Sequence, residues 1–206
     1  MIFKKILSLL ASIIKLVILF LFSLNSNAEN NFSKYYSNDL GTLSLMYHRF
    51  DENKYPSTNI QMEIFKKQIE IIKKNNLKFY NPNKFENEFE NPKEEKKILI
   101  TIDDAFSSFY EKAWPYLKEN EIPFILFVST KPIGKKGYMT WDQIKEIEKE
   151  DFAFIGNHSH SHDYLVNYKF DKFKNDIDYS IKIFNDQLGY NPVFFSYPFG
   201  EYSLQQ

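Results

Sequence analysis

Hydrophobic and polar residues follow two patterns along this chain, and the first pattern predicts strands. Continuous apolar runs rich in β-branched and aromatic residues are typical of strands buried on both faces of a sheet. The first strand, GTLSLMYHRF at 41–50, instead alternates apolar and polar residues, and a short strand or turn is predicted for LKFYNP at 77–82. The continuous runs are KILITIDDAF at 97–106, IPFILFVST at 122–130, DFAFIGN at 151–157 and PVFFSYPFG at 192–200.

Between the strands, apolar residues recur at the spacing of amphipathic helices. Pro115 must kink its helix or lie near its start, Thr140 is expected to cap another helix, and Gly189 closes the last one. The highly charged segment 83–96 is predicted to be a connection. The four helical segments are 60–76, 108–121, 140–150 and 170–189.

Strands that alternate with helices predict an α/β fold with a mainly parallel sheet covered on both faces. Polar clusters recur where the predicted strands end, which is the edge where open α/β sheets and α/β barrels build their sites. The length of 206 residues suits one domain of ordinary size.

The N-terminus has the pattern of an export signal. MIFKK is a positively charged start, residues 6–24 are largely apolar, and SNA ending at Ala28 is a small-residue cleavage site. Residues 1–28 are therefore expected to be a signal peptide or, because the apolar run is long, a membrane anchor. Residues 29–40 are a polar linker, and the rest of the chain is expected in the periplasm, the cell envelope or the medium.

The amino-acid composition excludes several classes of function and of site. The formal net charge is −1, with lysine and acidic residues interspersed, so no basic surface predicts binding to nucleic acid. Cysteine is absent, which excludes a disulfide framework, a cysteine-based zinc site and a thiol nucleophile. Any metal must therefore be held by histidine and carboxylate.

Three of the four histidines lie within five residues, in the sequence HSHSH at 158–162. Imidazole is the commonest metal-ligating side chain, so this density predicts a chelate. On a strand all three rings would share a face, whereas on a helical turn His158 and His162 would share a face without His160. The preceding Gly156 and Asn157 favour a turn into a helix, and therefore the pair.

Two adjacent carboxylates, Asp103 and Asp104, end the predicted strand at 97–106. Like charges this close raise each other's pKa unless a cation compensates one of them. Because side chains alternate along a strand, both can face one site only if the backbone turns there. The pair is expected to supply the further ligand that two histidines need, and the second carboxylate could serve as a base.

Three motifs in this order resemble the polysaccharide deacetylases with a NodB-homology domain, carbohydrate esterase family four. They are TIDDAF at 101–106, HSHSH at 158–162 and YPFG at 197–200. LMYHRF, YMTW and FSYPFGEYS are most similar to the branch that includes exported poly-N-acetylglucosamine deacetylases. The resemblance implies a distorted (β/α) barrel over residues 41–206, with a metal at the carboxyl ends of its strands.

By motif position, the resemblance implies that Asp104, His158 and His162 hold a divalent metal, of which Zn2+ is the leading expectation. It implies that Asp103 is the general base. His160 is not a ligand in the family pattern.

The resemblance also implies further residues around the metal. The backbone N–H of Phe199 would help to hold the oxyanion, and the hydroxyl of Ser159 would stabilise the loop. His48 is expected at the edge of the site. Aromatic side chains near these loops could stack on sugar faces, and they are Tyr47, Phe106, Trp141, Tyr197 and Phe199.

The sequence departs from the family pattern in several places. Ala105 replaces the usual glycine, Ile102 the usual phenylalanine, and Ser196 an arginine that orients the base in many members. The later family motifs, including a histidine that acts as general acid, have no counterpart after His162. We therefore expect the domain to be incomplete at its C-terminus.

The resulting hypothesis is an exported, metal-dependent hydrolase that removes N-acetyl groups from an N-acetylglucosamine-type polysaccharide. One alternative is a catalytically impaired protein that retains the metal and binds carbohydrate. Another is an O-acetyl esterase, because the same metal and base would serve that reaction.

Overall fold

The computed structural model describes residues 41–90 and 95–203, and these form an α/β fold. The predicted signal or anchor at 1–28 and the linker at 29–40 lie outside the described residues. The strands are β1 Gly41–Tyr47, β2 Arg49–Phe50, β3 Asn59–Ile60, β4 Lys78–Phe79, β5 Lys96–Asp103, β6 Phe124–Val128 and β7 Ala153–Asn157. The α-helices are α1 Met62–Lys74, α2 Phe85–Glu90, α3 Trp114–Glu119, α4 Trp141–Ile147 and α5 Phe170–Leu188.

The main sheet has the strand order β1-β5-β6-β7, with β4 beside the start of β5, and β2 and β3 form a separate pair. Every pairing between these strands is parallel, in agreement with the predicted mainly parallel sheet, and an isolated antiparallel bridge joins Phe106 to Tyr138. Asp103 lies opposite Phe127, and Val128 lies opposite Asn157. The carboxyl ends of β5, β6 and β7 therefore meet at one edge. Among the described strands, no hydrogen bonds close the sheet into a barrel.

The helices follow the sequence signals. Helix α1 buries Phe65, Ile69 and Ile72 and leaves its lysines exposed. Thr140 caps α4 in a reciprocal capping box with Gln143. The last predicted helix ends at a left-handed residue, Gly189, with φ of +84°.

Pro115 is the second residue of α3, where its missing N–H costs little. A π-helical turn at Phe109–Ala113 precedes it. The core between the sheet and these helices is largely aromatic, with Phe50, Phe65, Phe109, Phe124 and Phe184 fully buried.

Two sequence expectations were wrong. The charged segment predicted as a connection contains a 3-10 turn at Pro82–Lys84 and the short helix α2. The predicted last strand at 192–200 contributes one isolated bridge, between Phe195 and Asn157, and then a 3-10 turn at Pro198–Gly200. Within 41–90 and 95–203, no helix combines the length and apolar character needed to cross a membrane.

Candidate metal centre

The backbone turns sharply where β5 ends, and this turn brings both adjacent carboxylates into one site. Asp103 is the last strand residue, and the next two residues are left-handed, with φ of +73° at Asp104 and +55° at Ala105. Asp103 Oδ2 lies 3.9 Å and Asp104 Oδ1 3.8 Å from Nε2 of His158. In a regular strand, successive side chains point to opposite faces, and Asp103 and Asp104 would point apart. The turn interrupts this alternation, so both carboxylates lie near His158.

The histidine loop that follows β7 is a sequence of bends and not the helical turn that the sequence suggested. Ser159 and His162 are both left-handed, with φ of +68° and +57°. The Ser159 hydroxyl accepts a hydrogen bond from the His162 backbone N–H at 3.1 Å. This geometry places His158 and His162 side by side, with ring centroids 5.0 Å apart.

Asp104, His158 and His162 offer three ligand atoms that all lie within 4.8 Å of one another. Nε2 of His162 is 2.9 Å from Asp104 Oδ1. Nδ1 of His158 donates a hydrogen bond to the Ser196 carbonyl at 2.7 Å, which leaves Nε2 as the ligand atom. Two imidazole nitrogens and one carboxylate oxygen form a donor set suited to a catalytic zinc or a similar divalent metal.

The electrostatics of the three side chains also suit a cation. Burial lowers the pKa of His158 to about 4, so its imidazole is neutral at physiological pH. Burial opposes ionisation of Asp104, but the hydrogen bond and charge of His162, together with the charges of His158 and His48, outweigh it and lower the pKa of Asp104. Burial likewise opposes the charged form of His162, yet the same bond raises the pKa of that ring.

Asp103 is the buried carboxylate beside these three side chains. Its relative exposure is 4%, and among the described residues its Oδ1 has no hydrogen-bond partner. Burial, together with the neighbouring Asp104 charge, raises the pKa of Asp103 to about 7. A carboxylate with a pKa in this range is matched to proton transfer near neutral pH.

Ser196 contributes backbone contacts to Asn157 and His158.

His160, the remaining histidine of the loop, points away from the ligands. Its Nδ1 is hydrogen-bonded to the Thr130 hydroxyl at 2.8 Å, and its ring packs edge-on against Tyr179 of α5. Asp176 of the same helix accepts the backbone N–H groups of His160 and Ser161. The contact of Asp176 with this loop was not predictable from the sequence, because a lone aspartate on a polar helix face has no distinguishing pattern.

The remaining predicted site residues lie at different distances from the ligands. The Phe199 ring is 51% exposed, is stacked on Tyr164 with centroids 3.8 Å apart, and lies edge-on to His162 at 4.9 Å. Tyr197 packs against Phe195 and Tyr202. His48 is half-buried, and burial lowers its pKa while the charge of Asp104 opposes that shift.

Comparisons with known proteins identify relatives of this chain. Residues 90–205 match the family described as polysaccharide deacetylase. A poly-β-1,6-N-acetyl-D-glucosamine N-deacetylase of Staphylococcus epidermidis is 26% identical over 203 residues, covering 85% of this chain and 70% of that protein. YxkH of Bacillus subtilis, which is named for the same family, is 30% identical over 109 residues, covering 53% of this chain and 39% of that protein.

The same fold occurs in a solved structure, that of IcaB from Ammonifex degensii. It superposes with a TM-score of 0.73 at 26% identity, covering 80% of this chain and 77% of that chain. The matched region spans well under half of the length of YxkH and about two thirds or more of the other two proteins.

Proposed function

We propose, since this chain belongs to the polysaccharide deacetylase family, that it removes N-acetyl groups from an N-acetylglucosamine-type polysaccharide. The observation that carries the proposal is the buried cluster of Asp104, His158 and His162 with Asp103 beside it. The names of the Staphylococcus epidermidis relative and of the family support an amide-linked acetyl group as the target.

The metal site is proposed to be held by Asp104 Oδ1 and by Nε2 of His158 and His162, with Zn2+ as the leading candidate. When bound there, a divalent metal would polarise the acetyl carbonyl and lower the pKa of a bound water. The Ser196 carbonyl fixes the tautomer of His158. The contact of 2.9 Å between Asp104 Oδ1 and His162 Nε2 joins two of the proposed ligand atoms, and bonds to the metal would replace it.

Side chains and backbone groups of this chain would carry out proton transfer and stabilise the oxyanion. Asp103, with a pKa of about 7, is the group that accepts the proton of the attacking water. Its Oδ1 is buried and has no hydrogen-bond partner among the described residues, so the carboxyl group favours its protonated form. The backbone N–H of Phe199 is proposed to donate to the oxyanion, because Phe199 lies beside His162 in a left-handed turn with φ of +62°.

Export is proposed from the N-terminal pattern in residues 1–28, which is that of a signal peptide or anchor. A polysaccharide of the cell surface or matrix would then meet the enzyme outside the cytoplasm.

The decisive experiment measures acetate release from N-acetylglucosamine oligomers by zinc-loaded protein, beside Asp103→Asn and a chelator-treated sample. We expect release that the chelator abolishes and that Asp103→Asn lowers by at least about 100-fold, the low end of what a general base contributes. Zinc content of the Asp103→Asn protein, measured by atomic absorption, should match that of the wild type.

Tight zinc binding without acetate release from any N-acetylated oligomer would refute the proposal in favour of a metal-retaining carbohydrate-binding protein. Release of acetate only from O-acetylated sugars would favour an esterase instead.

A further inference from the structure

A cavity of about 390 Å3 opens directly beside the candidate metal ligands. Asp104 and His162 form part of its wall, and Tyr138 and two lysines, Lys131 and Lys135, form another part. This volume falls in the range of small-molecule sites, so the cavity has room for a sugar residue next to the reacting acetyl group. The lining residues are Asp104, Lys131, Pro132, Lys135, Tyr138, Ser161 and His162.

The loop that carries the two lysines is held by its own hydrogen bonds. The backbone N–H of Lys131 donates to His160 at 3.1 Å, which ties the start of the loop to the histidine loop. The Lys135 N–H donates to Pro132 at 3.0 Å, and the Gly134 N–H to Met139 at 2.8 Å. Both lysines therefore project from a fixed backbone next to the ligands.

The described residues balance only part of the positive charge at the cavity. Lys131 and Lys135 are exposed, and neither forms an ion pair with any side chain in the described part of the chain. The nearby Asp163 accepts a hydrogen bond from Tyr168, which together with Lys131 lowers its pKa, so this carboxylate is ionised and offsets part of the charge of Lys131. A divalent cation would compensate Asp103 and Asp104, and the two ammonium groups would then leave the cavity positive.

We propose that this cavity selects a glycan that carries an anionic group, a carboxylate or a phosphate ester, on the sugar beside the N-acetylated one. Lys131 and Lys135 would pair with the anion, and Tyr138 would offer its hydroxyl to the same sugar. The inference rests on the proposed function, because it names the substrate class of the same site.

The test measures binding by calorimetry to zinc-loaded Asp103→Asn protein, which should not turn over its ligand. Three oligosaccharides of equal length are compared: N-acetylglucosamine alone, N-acetylglucosamine alternating with glucuronate, and N-acetylglucosamine carrying a phosphate ester. We expect at least one anionic oligomer to bind about fivefold or more tightly than the neutral one, and its advantage to shrink as salt is raised. Which anionic oligomer binds tighter identifies the source of the charge.

The matched variants are Lys131→Gln with Lys135→Gln, the same pair changed to Arg, and Lys136→Gln. Lys136 is exposed in the same loop but does not line the cavity. Only the paired glutamine change should remove the preference for the anionic oligomer, and binding of the neutral oligomer should stay within about twofold. Unchanged melting temperatures would show that all variants fold.

The outcomes separate the two proposals. Equal binding of neutral and anionic oligomers, or a preference that survives in the paired glutamine variant, overturns the inference and leaves the deacetylase proposal standing. Lysine-dependent binding of the anionic oligomer without acetate release by wild-type protein supports the inference and refutes the deacetylase.

Discussion

The position of the Asp103 side chain suits proton transfer but lowers the stability of the folded protein. Its carboxylate is buried, its Oδ1 has no partner among the described residues, and Asp104 lies next to it. An ionised group in such a position is disfavoured unless a cation compensates it. The folded protein without metal therefore bears a cost at neutral pH that it would not bear if residue 103 were uncharged.

The pH dependence of stability should reveal this cost. The pKa of Asp103 rises from an ordinary value of 3.8 to about 7 on folding, and each unit corresponds to about 1.4 kcal/mol. A raised pKa gives stability that is fully present below the unfolded value and is lost as pH rises through about 7. For metal-free protein, the melting temperature of Asp103→Asn minus that of the wild type should therefore increase from pH 4 to pH 8.

Asp104→Asn is the matched control for that experiment. The pKa of Asp104 is lowered by His162 against the effect of burial, so its contribution is present above the unfolded pKa and is lost as pH falls. Asp104→Asn should lose stability relative to the wild type at neutral pH. A melting difference for Asp103→Asn that stays constant across pH would contradict the assignment of the raised pKa to this side chain.

Ala105 is a residue at which the backbone conformation conflicts with the side chain. Its φ of +55° lies in the left-handed region, where a non-glycine residue costs roughly 1–2 kcal/mol. Ala105→Gly relieves that strain, but it removes a buried methyl group and increases the conformational entropy of the unfolded chain. We therefore expect the free energy of unfolding to change by no more than about 1 kcal/mol. Ala113→Gly, at a buried alanine with φ of −90°, should cost about 1 kcal/mol or more. Urea unfolding of both variants makes the comparison, and equal losses would argue against strain at Ala105.

At the scale of elements, helix α5 holds the histidine loop in place. Asp176 accepts two backbone N–H groups of the loop, and Ser180 accepts a hydrogen bond from Asn157 at 2.8 Å. Asn157 in turn accepts the backbone N–H of Ser159. The loop is thus attached to a long, regular helix on one side and to β7 on the other.

Removing the Asp176 carboxylate should weaken this attachment. Asp176→Ala leaves two partly buried N–H groups without their acceptor, which costs about 1–3 kcal/mol. Zinc affinity should fall by about tenfold or more, because His162 lies on the released segment. Asp178→Ala on the same helix removes an exposed carboxylate that pairs with Lys174, and should change stability by less than about 0.5 kcal/mol. Calorimetric zinc titration of both variants tests the contrast, and equal affinities would contradict the role of Asp176.

The elements also show what a sequence can and cannot reveal. The parallel strands and amphipathic helices were predictable because each carries its own local pattern, down to the Thr140 cap and the Gly189 stop. The pairing of His158 with His162 was predicted through a helical turn that the structure replaces with left-handed residues. The observed loop conformation depends on hydrogen bonds to residues that are distant in the sequence. A local sequence pattern does not indicate such bonds.

Each wrong prediction has its own physical reason. The apolar run at 192–200 has the composition of a strand, but a strand forms only where a partner is available, and here one bridge to Asn157 forms. Helix α2 was missed because its charge outweighed the four-residue spacing of Phe85 and Phe89, although Phe85 packs edge-on against Phe194. Gly156 was read as a turn signal, yet it lies inside β7, where a Cβ would stand 2.4 Å from the Phe127 ring.

For the folded domain as a whole, the metal is expected to be a stabilising ligand as well as a catalytic one. The candidate ligands come from β5 and from the loop after β7, which are far apart in the sequence and adjacent only in the folded sheet. A ligand that binds only the folded state stabilises it by about 2.7 kcal/mol at a hundredfold excess over its dissociation constant. For a domain of this size that corresponds to a rise in melting temperature of roughly 5–10 °C.

This stabilisation should depend on pH in a definite direction. Zinc competes with protons for His162, whose pKa is raised by the Asp104 carboxylate against the effect of burial. The rise in melting temperature on adding zinc should therefore be large at pH 8 and small at pH 5. Magnesium, which prefers oxygen ligands in octahedral geometry, should produce little change at either pH. His162→Ala should remove most of the zinc effect, and a zinc-induced rise that survives in this variant would place the metal elsewhere in the molecule.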